Sequence, residues 1–245
     1  MCREYVPASD ARKQDYDFGD PWPEERDRFI DADREEAGGE HYWYVIRAFG
    51  PFGQSRLVRY GSCATREQLE ELRKEHNVPV ANAMIDSGFK ASDVYSFCLA
   101  TGWKALKGHD AEYFLYKDPA TNRSLRRIWQ RTFVDPFFGT RQARRVKPLP
   151  LFRWSNNATK DLLAEYMMGL VGDWTLPAQI GRDYLKQVTA ERREEKIDTA
   201  GRVHHLWKQV RRDNHLLDCE LVLIRLLQQG PIYWGQAWKY PRHGA

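Results

Sequence analysis

The chain is poor in cysteine: four thiols in 245 residues, Cys2, Cys63, Cys98 and Cys219, with no C-x-x-C pair among them. That leaves no disulfide framework to read, and the one histidine at helical ligand spacing, His215 before Cys219, is too little for a zinc site. Thiols so dispersed fit a reducing cytosol, with the cysteines as packing residues. No uninterrupted apolar run approaches the roughly 20 residues that cross a bilayer. Nothing resembles a signal peptide, so neither membrane insertion nor secretion is expected. No G-x-x-x-x-G-K-[ST] loop is present to cradle nucleotide phosphates. There is no internal repeat and no low-complexity tract, which excludes a solenoid. A large excess of either charge is missing too: 38 Lys and Arg against 34 Asp and Glu give a formal +4 and a pI near 8.8. Such a balance is compatible with nucleic acid but is shared by many unrelated enzymes.

What remains is a globular composition, 42% hydrophobic and 29% charged, long enough for one large domain or two small ones. The distribution of charge says more than its sum. Arg123, Arg126, Arg127, Arg131, Arg141, Arg144, Arg145 and Lys147 are opposed in their interval by Asp135 alone, a basic stripe of the kind that neutralises phosphates. Trp129, Phe133, Phe137 and Phe138 interleave with it, which suits an arm gripping a duplex backbone as well as a solvated hairpin.

Residues 1–25 are polar and carry Asp20-Pro21-Trp22-Pro23, so they read as a tail or linker unable to form a core. Three strands follow, Arg28 to Asp33, His41 to Phe49 and Ser55 to Tyr60, the last two separated by the turn chemistry of Gly50-Pro51-Phe52-Gly53. Thr65 caps a helix running to His76, with Gln68 completing a capping box. A strand from Pro79 to Ile85 ends at Asp86-Ser87-Gly88, then come a helix from Ser92 to Ala100 and a strand from Trp103 that stops at Gly108. A meander followed by strand-helix-strand alternation predicts a mixed sheet with helices on its faces. Residues 109–211 are less regular. Tyr113 to Tyr116, Arg127 to Phe133 and Asp173 to Leu176 suggest strands, Lys147-Pro148-Leu149-Pro150 an extended segment, and Asp161 to Leu170 and Ile180 to Val188 helices. Glu191 to Lys196 is a charged run in what reads as loop or hairpin.

The last apolar run, Leu216 to Leu227, predicts a helix packed on most sides, and a carboxylate on it is tolerated only with a cation, a metal or hydrogen bonds in place of water. Asp218 therefore needs a partner. Asp213 or Asn214 is placed to cap this helix, and His215 shares a face with Asp218. With Asp31 in the first strand and Asp86 at the tip of the fourth, the acids follow the layout of an RNase H-like nuclease, in which the first and fourth strands are neighbours and the last helix packs beside them. Cleaving a phosphodiester needs an activated water and a stabilised departing oxygen, and two divalent ions roughly 4 Å apart supply both. Carboxylates without clustered Cys or His favour Mg2+ or Mn2+ over zinc. Asp31 and Asp33 share a strand face, so alternation does not choose between them; Asp31 is taken as the ligand, with Asp33 as an auxiliary ligand or a solvated acid.

Phe29-Ile30-Asp31-Ala32-Asp33, Ala83-Met84-Ile85-Asp86-Ser87-Gly88, Ala105-Leu106-Lys107-Gly108, Asn156-Asn157-Ala158-Thr159-Lys160-Asp161 and Asn214-His215-Leu216-Leu217-Asp218-Cys219-Glu220 resemble, in order and spacing, the nuclease domain of tailed-phage large terminase subunits, most closely the lambda-type branch. The likeness covers roughly residues 28 to 230. It implies an α/β RNase H-like endonuclease that cuts concatemeric phage DNA in the host cytoplasm. Asp31, Asp86 and Asp218 would then be metal ligands for Mg2+ or Mn2+, and His215 a catalytic neighbour as proton relay or phosphate contact. It also implies double-stranded DNA, a small terminase subunit, a portal and a packaging ATPase as partners.

The missing phosphate-cradling loop departs from a complete large terminase, so no ATP hydrolysis is expected of this chain. On this reading residues 1–25 end an interdomain linker, 26–230 form the nuclease domain with 109–211 as a family-specific insertion, and 231–245 are an aromatic tail with Tyr233, Trp234, Trp238 and Tyr240. Lys107 and the arginines of the stripe are the expected DNA contacts; Lys160 and Asp161 fit the pattern but read as helix-terminal choices outside the catalytic set. Two other readings stay open: a non-catalytic DNA-binding or motor-assembly module on the same fold, and a resolvase or transposase.

Overall fold

A computed structural model describes residues 13–14, 16–35, 41–51, 53–134, 148–170, 172–197, 199, 201 and 203–228. Arg141, Arg144, Arg145 and Lys147 of the basic stripe, with Phe137 and Phe138, lie outside the described residues, as do Cys2 and the aromatics of 231–245.

The meander is β2 (Asp27–Glu35), β3 (His41–Phe49) and β4 (Ser55–Cys63), preceded by a two-residue β1 (Lys13–Gln14). Helix α1 (Arg66–Glu75) starts where the capping box places it: Gln68 N donates to Thr65 Oγ1 at 3.3 Å and Thr65 N to Gln68 Oε1 at 3.2 Å. The strand expected from Pro79 is shorter. A 3-10 turn takes Val80–Asn82, and β5 is Ala83–Asp86. Helix α2 (Ala91–Thr101) and β6 (Lys104–His109) complete the alternation.

Beyond β6 come β7 (Phe114–Lys117), β8 (Ser124–Arg127), β9 (Trp129–Val134) and β10 (Leu149–Ser155). The single strand expected over Arg127 to Phe133 is thus divided. Strand β10 was hidden behind Pro148 and Pro150; its pairing with β6 begins only at Leu151, where backbone donors resume. Helix α3 (Asn156–Met167) opens five residues before Asp161, because Ser155 Oγ accepts from Ala158 N at 3.3 Å. Strand β11 (Trp174–Pro177), helix α4 (Arg182–Val188), the hairpin β12 (Glu191–Ile197) and β13 (Val203–Gln209), and α5 (His215–Gln228) follow.

Among the described residues nine strands form one sheet in the order β1-β11-β4-β3-β2-β5-β6-β10-β9. The first and fourth strands of the expected layout, β2 and β5, are parallel neighbours with Asp31 opposite Met84. Strands β5, β6 and β10 continue the parallel run, while β2, β3 and β4 are antiparallel. Of the region 109–211, the hairpins β7–β8 and β12–β13 are separate two-stranded sheets, whereas β9, β10 and β11 extend the main sheet on its two sides. The tail expectation needs correcting at its C-terminal end. Strand β1 pairs with β11, and the Tyr16 ring is buried with its hydroxyl donating to Thr175 O at 3.3 Å. An aromatic with a polar tip is a core residue wherever that tip finds an acceptor.

Each face of the sheet has its own core. Leu69, Val94 and Cys98 of α1 and α2 pack with Ile30, Ile46, Ile85 and Ala105 on one side. On the other, Leu163 and Tyr166 of α3, Tyr184 of α4 and Leu216, Leu217 and Leu221 of α5 pack with Val45, Met84, Leu106 and Trp154. Within this second core Arg47 of β3 meets Glu220 of α5 in a bidentate pair, both contacts 3.0 Å, with both side chains fully buried. Tyr184 Oη and Trp174 Nε1 donate to the same carboxylate at 2.5 and 3.1 Å, and Arg47 also donates to Ser55 Oγ and Thr175 O, each at 3.2 Å. Every polar end of this pair is met, the condition under which buried charge is tolerated.

Glu220→Gln, which leaves Arg47 buried without a counter-charge, is expected to lose about 3–5 kcal/mol in urea unfolding. A paired Arg47→Met/Glu220→Leu variant should recover most of that loss; equal damage from both would refute this account.

Candidate functional site

A cleft of about 280 Å³ opens at the C-terminal ends of the parallel strands, and Asp31, Asp33, Asp86 and Asp218 all line it. Open α/β sheets offer ligand sites at this edge because strand ends and loops converge there. The β2–β5 register continued by one residue sets Asp33 level with Asp86, on the face that α5 covers. The choice between Asp31 and Asp33 thus has a plain structural answer: both acids face the cleft.

Their environments explain their protonation. Asp31 is 1% exposed, and burial followed by the nearby Asp86 charge drives its pKa well above the carboxylate range, although Ala32 N donates to Oδ1 at 2.8 Å. Burial, then the charge of Asp33, raises Asp86 to about 7. Gly88 N donates to Asp86 Oδ2 at 2.9 Å, and a Cβ at residue 88 would stand 2.7 Å from that oxygen, so a glycine permits the close approach. The other oxygen, Asp86 Oδ1, is buried with no hydrogen-bond partner among the described residues. Asp218 is pushed to about 8 by burial and by Asp33, with Lys160 opposing the rise.

Helix α5 delivers Asp218 and His215 together. Leu216 N donates to Gln187 Oε1 at 3.0 Å, so α4 supplies a side-chain acceptor to the first turn in the role expected of Asp213 or Asn214. His215 Nδ1 lies 2.7 Å from Asp33 Oδ2, its Nε2 lies 3.4 Å from Glu35 Oε2, and its ring is parallel to the Trp43 ring at 5.9 Å. Trp43 Nε1 in turn donates to Glu35 at 2.8 Å. Burial alone would lower the His215 pKa, but the bond and charge of Asp33, with Glu35 and Asp218, raise it.

Some residues that the sequence reading left outside the catalytic set take part in or around the cleft. Lys160 of α3 lines it and bonds Glu191 at 2.5 Å, and Asn214 Nδ2 donates to Glu191 at 2.9 Å and to Asp218 Oδ2 at 3.2 Å. Glu191 is buried at the root of the β12–β13 hairpin, although its run of charged neighbours had suggested a solvated face. Asp161 holds the same hairpin, accepting from Arg193 Nε at 2.9 Å and Trp207 Nε1 at 2.8 Å. Of the expected DNA contacts, Lys107 lines the cleft, Arg123 precedes β8, Arg126 and Arg127 lie on it, and Arg131 lies on β9. Arg126 covers the Tyr113 ring at 4.3 Å and Arg127 the Tyr116 ring at 3.4 Å. Ser155 N bonds Ile128 O at 2.8 Å, which fixes the base of this arm beside the start of α3.

The carboxylates offer the hard oxygen donors that Mg2+ and Mn2+ prefer. They converge and leave Asp86 Oδ1 unmet, which fits a cation. The fit is one of chemistry and convergence and not of a preset cage, since among the described residues no three His, Cys, Asp or Glu side chains stand in ready ligating geometry.

Residues 63–229, more than half of the chain, match the family described as "Terminase large subunit gpA, endonuclease domain". The chain belongs to that family. A search of the curated proteins finds no match. Among solved structures, the large terminase of a thermophilic bacteriophage aligns with a TM-score of 0.48 and 10% identity, over 90% of this chain and 44% of that one. The chain therefore spans less than half the length of that terminase. The nuclease domain of the large terminase subunit gp2 of bacterial virus Sf6, solved with manganese and β-thujaplicinol, aligns with a TM-score of 0.45 and 11% identity, over 83% of this chain and 90% of that one. In this terminase endonuclease domain no described helix is long and apolar enough to cross a membrane.

The raised carboxylates set a pH dependence. An acid whose folded pKa lies above its unfolded value opposes folding once ionised, so stability is greatest below the unfolded value near 3.8 and declines as pH rises through about 7 and 8. In EDTA, the contribution of these two acids should lower urea stability from pH 5 to pH 9, and Asp218→Asn should flatten that slope. An unchanged slope would contradict the electrostatics described.

Proposed function

We propose that this domain is a metal-dependent DNA endonuclease that cuts concatemeric viral DNA during genome packaging. The observation that carries the reading is the convergence of Asp31, Asp33, Asp86 and Asp218, from β2, β5 and α5, in one cleft with a buried Asp86 oxygen left unmet. Family membership supports the same chemistry. Asp31, Asp86 and Asp218 are the residues that would hold Mg2+ or Mn2+, two ions in the full arrangement, with Asp33 as an auxiliary ligand. Bound there, the ions supply an activated water and charge stabilisation for the departing 3′ oxygen.

The protein's own groups do the rest. His215, braced by Glu35 and by the Trp43 ring, is held against Asp33 and serves as a proton relay at the edge of the cleft. Burial keeps the acids rigid and raises the cost of leaving them without cations. The arginines of β8 and β9 hold the duplex by its phosphates, which position a substrate without reading its bases. Low sequence specificity follows. On this reading a packaging ATPase, a small terminase subunit and a portal are the partners in the host cytoplasm.

Plasmid digestion with MgCl2 or MnCl2, against an EDTA control, tests the proposal. Asp86→Asn and Asp218→Asn should each lose more activity than the roughly 10–100-fold that a supporting residue costs, and His215→Ala should fall within that range. Full cleavage by either aspartate variant would overturn the assignment.

A further inference from the structure

The cleft has a second wall of opposite character. Acids come from β2, β5 and α5, whereas Lys107 and Gly108 of β6, Trp154 of β10, and Asn156 and Lys160 of α3 line the other side. Lys107, Lys160 and Trp154 offer only N–H donors there and Asn156 offers an amide that can donate as well, a set that suits an oxyanion. Trp154 is 4% exposed, yet its indole Nε1 is buried with no hydrogen-bond partner among the described residues. A buried donor left unmet costs about 1–3 kcal/mol, so its retention beside a cleft points to an acceptor supplied from outside the chain.

The start of α3 adds to this. It is a twelve-residue helix whose N-cap, Ser155, accepts from Ala158 N, and the backbone N–H groups of the first turn carry the positive end of the helix dipole. Asn156, its first residue, is drawn tightly against β6: a Cβ on Gly108 would stand 2.3 Å from Asn156 Oδ1. A glycine here lets the helix start sit directly on the strand end. Lys107 lies next in sequence to that glycine, and Lys160 is one turn into the helix.

We propose that Lys107, Trp154, Asn156, Lys160 and the N-terminus of α3 form a phosphate subsite that receives a backbone phosphate of the cut strand without needing metal. Assigning the phosphate to DNA rests on the nuclease reading; affinity for the anion does not. The acidic wall binds cations and the donor wall binds the phosphodiester, so the strand is oriented by the polarity of the cleft. Lys160 keeps its bond to Glu191 while presenting charge to the cleft, and Lys107 is the exposed cation of the subsite.

The test uses the whole chain, ¹⁵N-labelled, in EDTA. Inorganic phosphate should move one indole Nε1–H resonance, the one that disappears in Trp154→Phe, while sodium chloride at matched ionic strength leaves it in place. Lys107→Met should weaken that response about tenfold, as loss of a charge-assisted hydrogen bond does. A short DNA duplex should move the same resonance. An unmoved Trp154 signal, an equal response to chloride, or an unchanged affinity in Lys107→Met would overturn the subsite. Movement by phosphate but not by the duplex would overturn its assignment to DNA. Because no metal is present, failure of plasmid cleavage would leave these results standing, and the converse also holds.

Discussion

The buried pair between Arg47 and Glu220 is the constraint on which the geometry of the site depends. A helix rich in leucine slides and rotates over an apolar sheet at little cost, because dispersion and hydrophobic burial have no direction. A bidentate guanidinium–carboxylate contact has direction, and here Tyr184 and Trp174 secure the same carboxylate from two further elements. Two residues before Glu220, Asp218 inherits that precision. The register of α5 over β2 and β3 is therefore specified by polar contacts in the core and not by its leucines, which illustrates buried charge acting for specificity more than for stability.

Two residues away, at Asp218, the balance is reversed. The acids of the cleft are crowded and buried, and Asp33 raises both Asp86 and Asp218. The protein thus holds in its folded state a set of groups that oppose folding when ionised, a strain concentrated where function is expected. The Arg47–Glu220 network and the apolar core on that face of the sheet hold the helix against that repulsion. Stability at Glu220 supports frustration at Asp218, two residues before it.

Much of this was legible in the sequence. The meander and the capping box at Thr65 follow from alternation, turn residues and local hydrogen bonding, whereas the neighbouring β2 and β5 came from the likeness to the RNase H layout. Asp31, Asp86 and His215 were found because each sits in a short local motif. Asp218 stood out because an acid in an apolar helix has to be explained. Glu220 lies on the same helix and was harder to assign, since its partner Arg47 is 173 residues away and nothing local distinguishes it from a half-exposed acid. Strand β10 was concealed by prolines, and Glu191 by its charged neighbours. Nothing in the sequence draws attention to Trp154; the lack of an acceptor for its Nε1 among the described residues is a property of the assembled fold.

The separation between the parts of the site bears on how the chain comes into being. His215 and Asp33 touch across 182 residues, and Asp218 comes from an element that follows every strand of the sheet. A ribosome releases β2 and β5 long before α5, so Asp218 is the last of the four acids to reach the site. On the proposed function the site is incomplete until α5 has been made, and this order of assembly serves as a safety catch that no inhibitor has to provide.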